Sequence, residues 1–175
     1  MAVYIAIICI LLLLIAGTVF YNTLIRSRNK MLEAWSIIDV YLKNRHELVP
    51  ALVNIAKGYS IHETETLINL SSYRSEAIAA KETSSQIASE EKLDNAIHNV
   101  ILMYERYPEL KADNGFLKLQ YQLTDIEDNL EKVRRYYNGS VREYNTLLKS
   151  FPTNLIANIS GFKKGIFYKS QSAHE

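Results

Sequence analysis

The chain opens with an apolar run that is long enough to cross a membrane. Ala2 to Phe20 reads AVYIAIICILLLLIAGTVF and contains no charged side chain. As a helix rising about 1.5 Å per residue, this run is about 28 Å long, close to the roughly 30 Å of a bilayer's hydrocarbon core. Tyr4 near one end and Phe20 and Tyr21 at the other suit the membrane–water interface. The run therefore predicts a transmembrane anchor over residues 1–21.

A cleaved signal peptide is the main alternative for this run. It would need a basic segment, a shorter apolar stretch and small residues at a cleavage site. No Lys or Arg precedes the run, and Ala16, Gly17 and Thr18 are followed at once by more apolar residues. We therefore expect an uncleaved anchor. Cys9, the single cysteine, lies inside it, so we expect a small apolar helix residue and no disulfide.

Basic residues close to the run predict its orientation. Arg26, Arg28 and Lys30 follow it closely, whereas only the terminal amine precedes it. Positive charges next to a span are retained preferentially on the cytoplasmic side. We therefore expect a very short N-terminus outside and a cytoplasmic domain of about 150 residues.

Beyond the anchor, apolar residues recur at the three- and four-residue steps of helices. No Gly or Pro separates the first stripe from the anchor, so one helix is expected to include both. Pro50 should bend this helix and Gly58 should end it. The stripe has one gap, at Arg45 and His46. Its members are Ile25, Leu32, Trp35, Ile38, Leu42, Val49, Leu52, Ala56 and Tyr59.

Two further helices are predicted before a polar break. The second covers about His62 to Lys81, with Ser60 as its N-cap. The third follows a serine-rich turn and is expected to be capped by Ser84 or Ser85. The inward residues predicted for the two helices are Leu67, Leu70, Tyr73, Ala77, Ile78, Ile87, Leu93, Ile97, Val100, Ile101 and Tyr104. Pro108 and the Asn114-Gly115 pair are the turn residues of the break.

The fourth helix has the most regular pattern in the chain. Its apolar residues form a coiled-coil-like seam of nearly five heptads, which ends before Pro152. At about 1.5 Å per residue this helix is roughly 50 Å long. The seam consists of Phe116, Leu119, Leu123, Ile126, Leu130, Val133, Tyr137, Val141, Tyr144, Leu148 and Phe151.

Together these patterns predict an all-α fold. The transmembrane helix should continue into an antiparallel up-down bundle of long helices over residues 22–169. After Pro152, a short amphipathic segment is expected to pack on the bundle, on a neighbouring subunit or on the membrane surface. Residues 170–175 should form a flexible tail.

No constellation of residues indicates catalysis, a metal or a cofactor. Glu follows His46 and His62, but the position four after each His holds Pro50 or Thr66, not the second His of a zinc site. Neither of them, nor His98, has the Glu three residues earlier that di-iron bundles use. We expect a protein that is not an enzyme and binds no cofactor. A formal net charge of +1 argues against nucleic acid as a partner.

Asp39 is the polar residue for which we expect a structural partner. It follows Ile38 on the edge of the first apolar stripe. A half-buried carboxylate needs a partner, and Arg is the usual one. We therefore predict an ion pair between Asp39 and Arg134 or Arg135 of the fourth helix, in preference to a ligand site.

Four blocks of the sequence resemble the LemA family of bacterial membrane proteins: Tyr21–Glu63, Tyr104–Leu123, Val133–Asn145 and Phe151–Phe162. The matching residues are Tyr21, Asn22, Arg28, Asn29, Ala34, Trp35, Asp39, Pro50, Gly58, Tyr59, His62, Glu63, Pro108, Phe116, Tyr137, Asn138, Tyr144, Asn145, Phe151 and Pro152. The chain departs from the family pattern at Tyr41, where Gln is usual, and at Asn44-Arg45, where a basic pair is usual.

The resemblance implies a single span, a helical bundle on the bacterial inner membrane and no enzymatic activity. It also connects the family with envelope maintenance and with AAA-type ATPase and membrane-protease systems. We therefore expect a membrane-anchored scaffold that self-associates through its long helices and helps to shape or maintain the envelope. An adaptor for a membrane protease or an AAA-type ATPase is the alternative.

Overall fold

The computed structural model describes residues 1–59, 64–103 and 106–169, except for the side chains of Met103 and Lys111. Within these residues the chain contains six helices and no strand, so the predicted all-α class is confirmed. The helices are α1 (Ala2–Tyr59), α2 (Thr64–Ala79), α3 (Thr83–Met103), α4 (Pro108–Lys111), α5 (Asn114–Leu147) and α6 (Thr153–Ile159).

Helix α1 runs for 58 residues without a break. Its N-terminal part is long and apolar enough to cross a membrane, and none of that apolar stretch is buried in the isolated chain. The helix passes through Pro50, whose missing N–H removes one backbone hydrogen bond, and ends at Tyr59, next to Gly58. The predicted continuity between the apolar run and the first helix of the domain is therefore confirmed.

The chain divides into two compact units. The first unit contains Met1–Ser36 and Arg135–Phe167. The second unit contains the described parts of Ile37–Arg134 and Tyr168–Glu175. Each of the two long helices, α1 and α5, contributes residues to both units.

The second unit has a hydrophobic core made by residues of α1 to α5, and its helices α2 and α3 pack on each other. The core consists of Val49, Leu52, Val53, Ala56, Leu67, Leu70, Ala77, Leu93, Ala96, Ile97, Val100, Leu110, Phe116, Leu119 and Leu123. The prediction for Ile78 is wrong, since this residue is 54% exposed. A step of one residue turns a side chain by about 100° around the helix, so Ile78 cannot share the inward side of Ala77.

Two predicted helix starts are wrong. Helix α3 begins at Thr83, so Ser84 and Ser85 lie in its first turn and do not precede it. Helix α5 begins at Asn114, because Oδ1 of Asp113 accepts a hydrogen bond from the Phe116 N–H at 2.9 Å. Aspartate is among the favoured N-cap residues, so the helix already includes the Asn114-Gly115 pair that was expected to form a turn. The predicted positions of Ser60, His62 and Tyr104 lie outside the described residues.

The C-terminal part of the α5 seam also differs from the prediction. Helix α5 ends at Leu147, and Phe151 is 80% exposed. The following α6 ends in a glycine cap, in which Gly161 has a φ of 70° and the Phe162 N–H donates to Ala157 O at 3.0 Å. The chain then continues without regular structure through residues 162–169.

In the first unit, α1 and α5 pair in opposite directions. Nζ of Lys30 lies 2.7 Å from Oε2 of Glu143, and the Trp35 and Tyr137 ring centroids are 5.2 Å apart. A later residue of α1 thus faces an earlier residue of α5. Buried members of this unit include Leu24, Met31, Ala34, Val141 and Ala157.

Candidate functional site

The charged centre of the second unit is the guanidinium of Arg45, whose side chain is 2% exposed. Its Nη2 donates to Oε2 of Glu90 at 2.7 Å. Its Nη1 donates to Oδ1 of Asp94 at 2.8 Å and to Oε2 of Glu127 at 3.0 Å. One buried cation on α1 therefore holds three carboxylates, two from α3 and one from α5.

Glu90 is the fully buried partner in this centre, with a side chain that is 0% exposed. Its second oxygen, Oε1, lies 2.7 Å from Nε2 of His46. Burial by itself raises the pKa of Glu90, but the hydrogen bond with His46 and the charge of Arg45 outweigh burial and lower that pKa below its ordinary value. The arrangement thus keeps a buried carboxylate ionised and ties α1 to α3.

The network extends beyond the buried pair. Oε1 of Glu127 accepts a hydrogen bond from Nη1 of Arg134 at 2.7 Å, and the guanidinium of Arg134 lies 4.7 Å from the ring centroid of Tyr168. Nε of Arg74 donates to the backbone oxygen of His46 at 2.7 Å. Four helices and the C-terminal segment of the second unit are therefore connected through charged groups. We call this set of side chains the Arg45 network.

A groove of about 480 Å³ opens beside the Arg45 network. Its lining combines acidic side chains with apolar ones, among them Asp94, Glu127, Asp128, Ile97, Ile101 and Leu123. Among the residues that the structure describes, no group of three or more His, Cys, Asp or Glu side chains is arranged to hold a metal ion. In the network itself, the Arg45 guanidinium occupies the position between the carboxylates.

The predicted ion pair of Asp39 with an arginine of the fourth helix is wrong. Asp39 is exposed, and its Oδ1 accepts a hydrogen bond from Nε2 of Gln86 at 3.1 Å. Arg134 binds Glu127, and Arg135 is an exposed residue of α5. The physical reason is helix geometry, because one residue beyond the buried Ile38 a side chain has turned about 100° away from the core.

The Arg45 network was not predicted, although the sequence contains two signals for it. The first was the gap in the α1 stripe at Arg45 and His46. The second was Glu90, which lies three residues after Ile87 and three before Leu93, on the inward side of α3. Polar residues at inward positions of two helices predict a buried polar pair, since each must find a partner.

In the first unit, several residues of the family motif hold the C-terminal segment. Oη of Tyr137 donates to Ile166 O at 2.8 Å, and Oη of Tyr144 donates to Lys163 O at 3.0 Å. Burial raises the pKa of the Tyr137 hydroxyl, which therefore remains a donor well above neutral pH.

Asn145 completes this attachment with two hydrogen bonds to one residue. Its Nδ2 donates to Gly165 O at 3.0 Å, and its Oδ1 accepts from Gly165 N at 2.9 Å. A Cβ on Gly165 would collide with Sδ of Met31, so this position favours glycine. We call Tyr137, Tyr144 and Asn145, with the backbone that they hold, the C-terminal clamp. Of the three contacts left open for this segment, packing on the protein's own helices is observed within the first unit.

The basic residues that are predicted to set the orientation of the span also lie in the first unit. Arg26, Arg28 and Lys30 are exposed on α1. Lys30 forms the ion pair with Glu143, and this pair raises the pKa of the Lys30 ammonium.

Lowering the pH should reduce the free energy of unfolding, partly because Glu90 becomes protonated. The pKa of Glu90 is lowered in the folded state, so its ionised form stabilises the fold. This contribution to the free energy of unfolding is complete above the unfolded pKa of about 4.3, and it is lost as the pH falls through the lower pKa of the folded state. We expect the free energy of unfolding, measured by chemical denaturation of the full chain in mild detergent, to fall more steeply from pH 7 to pH 3 for the wild type than for Glu90→Gln. The exposed Glu82→Gln should follow the wild type, and parallel curves for all three proteins would contradict the assignment.

The family model and one of the relatives name the same family. A family model described as the LemA family matches residues 34–175. Protein LemA of Metamycoplasma hominis is 26% identical over 152 residues, which cover 86% of this chain and 69% of that protein. Magnetosome protein MamQ 2 of Paramagnetospirillum magneticum and magnetosome protein MamQ of Magnetospirillum gryphiswaldense are each 27% identical over 79 residues. These matches cover 45% of this chain and 29% of either magnetosome protein.

Proposed function

Because this chain belongs to the LemA family, we propose that it is a non-enzymatic, single-pass membrane scaffold that self-associates at the bacterial inner membrane and helps to shape or maintain the envelope. The observation that carries the proposal is the unbroken helix α1, which includes both the exposed apolar span and residues of the folded units. A scaffold on a membrane requires a firm attachment of this kind.

The attachment is firm because no loop follows the span. Helix α1 continues directly from the apolar run into Leu24, Met31 and Ala34, which are buried in the first unit. A flexible linker would let the folded part move freely over the membrane, whereas a continuous helix is a semi-rigid connection. Each copy would therefore present the same side of α1 to its neighbours.

Helix α1 also has apolar surface available for contact with another copy. Val40 is 58% exposed and Ile37 is 38% exposed, although both lie on the same helix as the buried Ile38 and Leu42. Covering such surface is favourable by about 25 cal/mol per Å². Membrane anchoring raises the effective concentration of copies, so a small surface can support association.

We expect the full chain in mild detergent to have a mass of several copies by multi-angle light scattering. The double variant Ile37→Glu with Val40→Glu should shift the mass to one copy and leave the melting temperature unchanged, because both side chains are exposed. Tyr121→Glu, which alters a 75% exposed aromatic residue of α5, is the matched control and should retain the wild-type mass. A monodisperse wild-type monomer would reject self-association.

The proposal includes an orientation with the N-terminus outside and the folded part in the cytoplasm. It is supported by Arg26, Arg28 and Lys30, which follow the span. Protease added outside intact cells should leave the C-terminus uncut, and cleavage there would reverse the orientation.

An adaptor for a membrane protease or an AAA-type ATPase is the second candidate. The groove beside the Arg45 network favours it, because an open surface with acidic and apolar residues suits a segment that carries basic and apolar side chains. The same mass measurement separates the two candidates. An adaptor would be a single copy in detergent, and the Ile37 and Val40 substitutions would not change its mass.

A further inference from the structure

Helix α6 has one packed side and one bare side. Thr153 and Ala157 are buried, whereas Leu155 is 53% and Ile159 is 87% exposed. A spacing of four residues places Leu155 and Ile159 on the same side of the helix. Phe151, which directly precedes Pro152 at the start of α6, is 80% exposed and is a third large exposed apolar residue in this part of the chain. We call Phe151, Leu155 and Ile159 the α6 apolar face.

The pairing of α1 with α5 in the first unit shows where this face lies along α1. Lys30 faces Glu143, and Trp35 faces Tyr137. Two helices that rise about 1.5 Å per residue in opposite directions keep this offset, so the last turn of α5 is level with a turn of α1 that lies roughly two turns beyond the apolar run. The Tyr21 and Phe162 ring centroids are 5.9 Å apart, which places the end of α6 beside the end of that run.

Charge near the α6 apolar face is positive. Lys163 and Lys164 follow α6 directly, and both are exposed. Arg26 and Arg28 are exposed on α1 in the turns just after the apolar run. Lysine and arginine near a bilayer surface are attracted to anionic headgroups, and short apolar faces beside them insert at the boundary of the acyl chains.

We propose that α6 lies in the surface of the bilayer leaflet from which α1 emerges, with the α6 apolar face among the upper acyl chains and Lys163 and Lys164 at anionic headgroups. The occupant of the face is thus the membrane itself. This inference depends on the proposed anchoring by α1, which holds α6 at the surface, so that a short apolar face is sufficient for stable contact. The protein then has two membrane contacts, one across the bilayer and one along it.

Spin labels test this proposal in the full chain, reconstituted in vesicles of neutral and anionic phospholipids. In a Cys9→Ser background, single nitroxides are attached at Leu155→Cys, at Ile159→Cys and at the control Tyr136→Cys. Tyr136 is equally on the surface of the first unit, but its place on α5 is farther from the apolar run. We expect the labels at 155 and 159 to be more accessible to oxygen than to a water-soluble nickel chelate, and the label at 136 to show the reverse.

Further outcomes separate this inference from the proposed function. A label on the native Cys9 reports whether α1 spans the bilayer. If that label is in lipid while the labels at 155 and 159 behave as the one at 136, only the α6 contact is overturned. If the Cys9 label is in water, the anchoring fails and the α6 contact fails with it. The labels at 155 and 159 could also be protected from the nickel chelate by a second copy of the protein. Protection that disappears when the protein is diluted tenfold in lipid would show this, and it would also overturn the proposal. The double variant Lys163→Gln with Lys164→Gln should make the labels at 155 and 159 more accessible to the nickel chelate in anionic vesicles only.

Discussion

Replacing Arg45 with Met should lower the free energy of unfolding by about 3–5 kcal/mol. The substitution keeps an unbranched apolar stem but removes the cation that neutralises Glu90, whose side chain is 0% exposed. Glu90 would then be a buried carboxylate that has lost its guanidinium partner and keeps its hydrogen bond with His46. Asp94 and Glu127, both 40% exposed, can turn toward water and should contribute little to the loss. Chemical denaturation of the full chain in mild detergent at neutral pH measures this difference.

Two further variants make the expectation specific to the buried pair. Lys43→Met changes an exposed cation on the same helix and should alter stability by less than about 0.5 kcal/mol. Adding Glu90→Leu to Arg45→Met removes the stranded charge, so the double variant should recover a large part of the loss. An Arg45→Met protein as stable as Lys43→Met would show that the Arg45 network does not hold this unit together.

The second large effect is expected at Asn145. Asn145→Ala should lower the free energy of unfolding by about 2–3 kcal/mol, because it removes two hydrogen bonds and leaves the N–H and C=O of Gly165 without these partners. The loss should appear first in residues 163–167, whose attachment to α5 depends on the C-terminal clamp. Amide hydrogen exchange of this segment, followed by mass spectrometry, is the direct measurement.

Thr146→Ala is the matched control for this substitution. Thr146 is the next residue on α5, and its hydroxyl bonds only to its own helix, at Arg142 O. It should leave exchange in residues 163–167 unchanged. If Asn145→Ala also leaves it unchanged, the clamp does not fix the C-terminal segment.

The parts of the fold that follow a single period were predictable from the sequence. The unbroken α1 follows from the absence of Gly and Pro between the apolar run and Pro50, together with an apolar stripe whose one gap is at Arg45 and His46. Most of the α5 seam is buried because it keeps the helical period from Phe116 to Tyr144. The seam was extended too far, since spacing alone does not show that α5 ends at Leu147.

The Arg45 network was harder to predict because it depends on which helices meet. The position of Arg45, three residues after Leu42 and four before Val49, places it on the inward side of α1. The choice of Glu90 as its partner depends on the rotation and register of α3, which the sequence does not display. The prediction for Asp39 was wrong because the burial of its neighbour Ile38 does not extend to Asp39, which lies about 100° further around the helix and binds Gln86.

For the C-terminal clamp, too, the sequence indicated which residues are buried but not which groups they bind. Tyr137 and Tyr144 were recognised as members of an apolar seam, and their rings are buried as that pattern indicates. Their hydroxyl groups, however, bind backbone carbonyls of the segment after α6. Any backbone carbonyl accepts a hydrogen bond, so no residue type in that segment revealed where the tyrosines would bind.

The composition of the first unit has a consequence for biosynthesis. Its two parts, Met1–Ser36 and Arg135–Phe167, are separated by most of the chain. The Trp35–Tyr137 contact cannot form until Tyr137 has left the ribosome, and at about 5–20 residues per second the intervening part of roughly 100 residues takes about 5–20 s to synthesise. During that time Leu24, Met31 and Ala34 lack their partners, although the apolar run before them is already complete. This stripe of α1 therefore remains without its α5 partners until residues 135–167 have been synthesised.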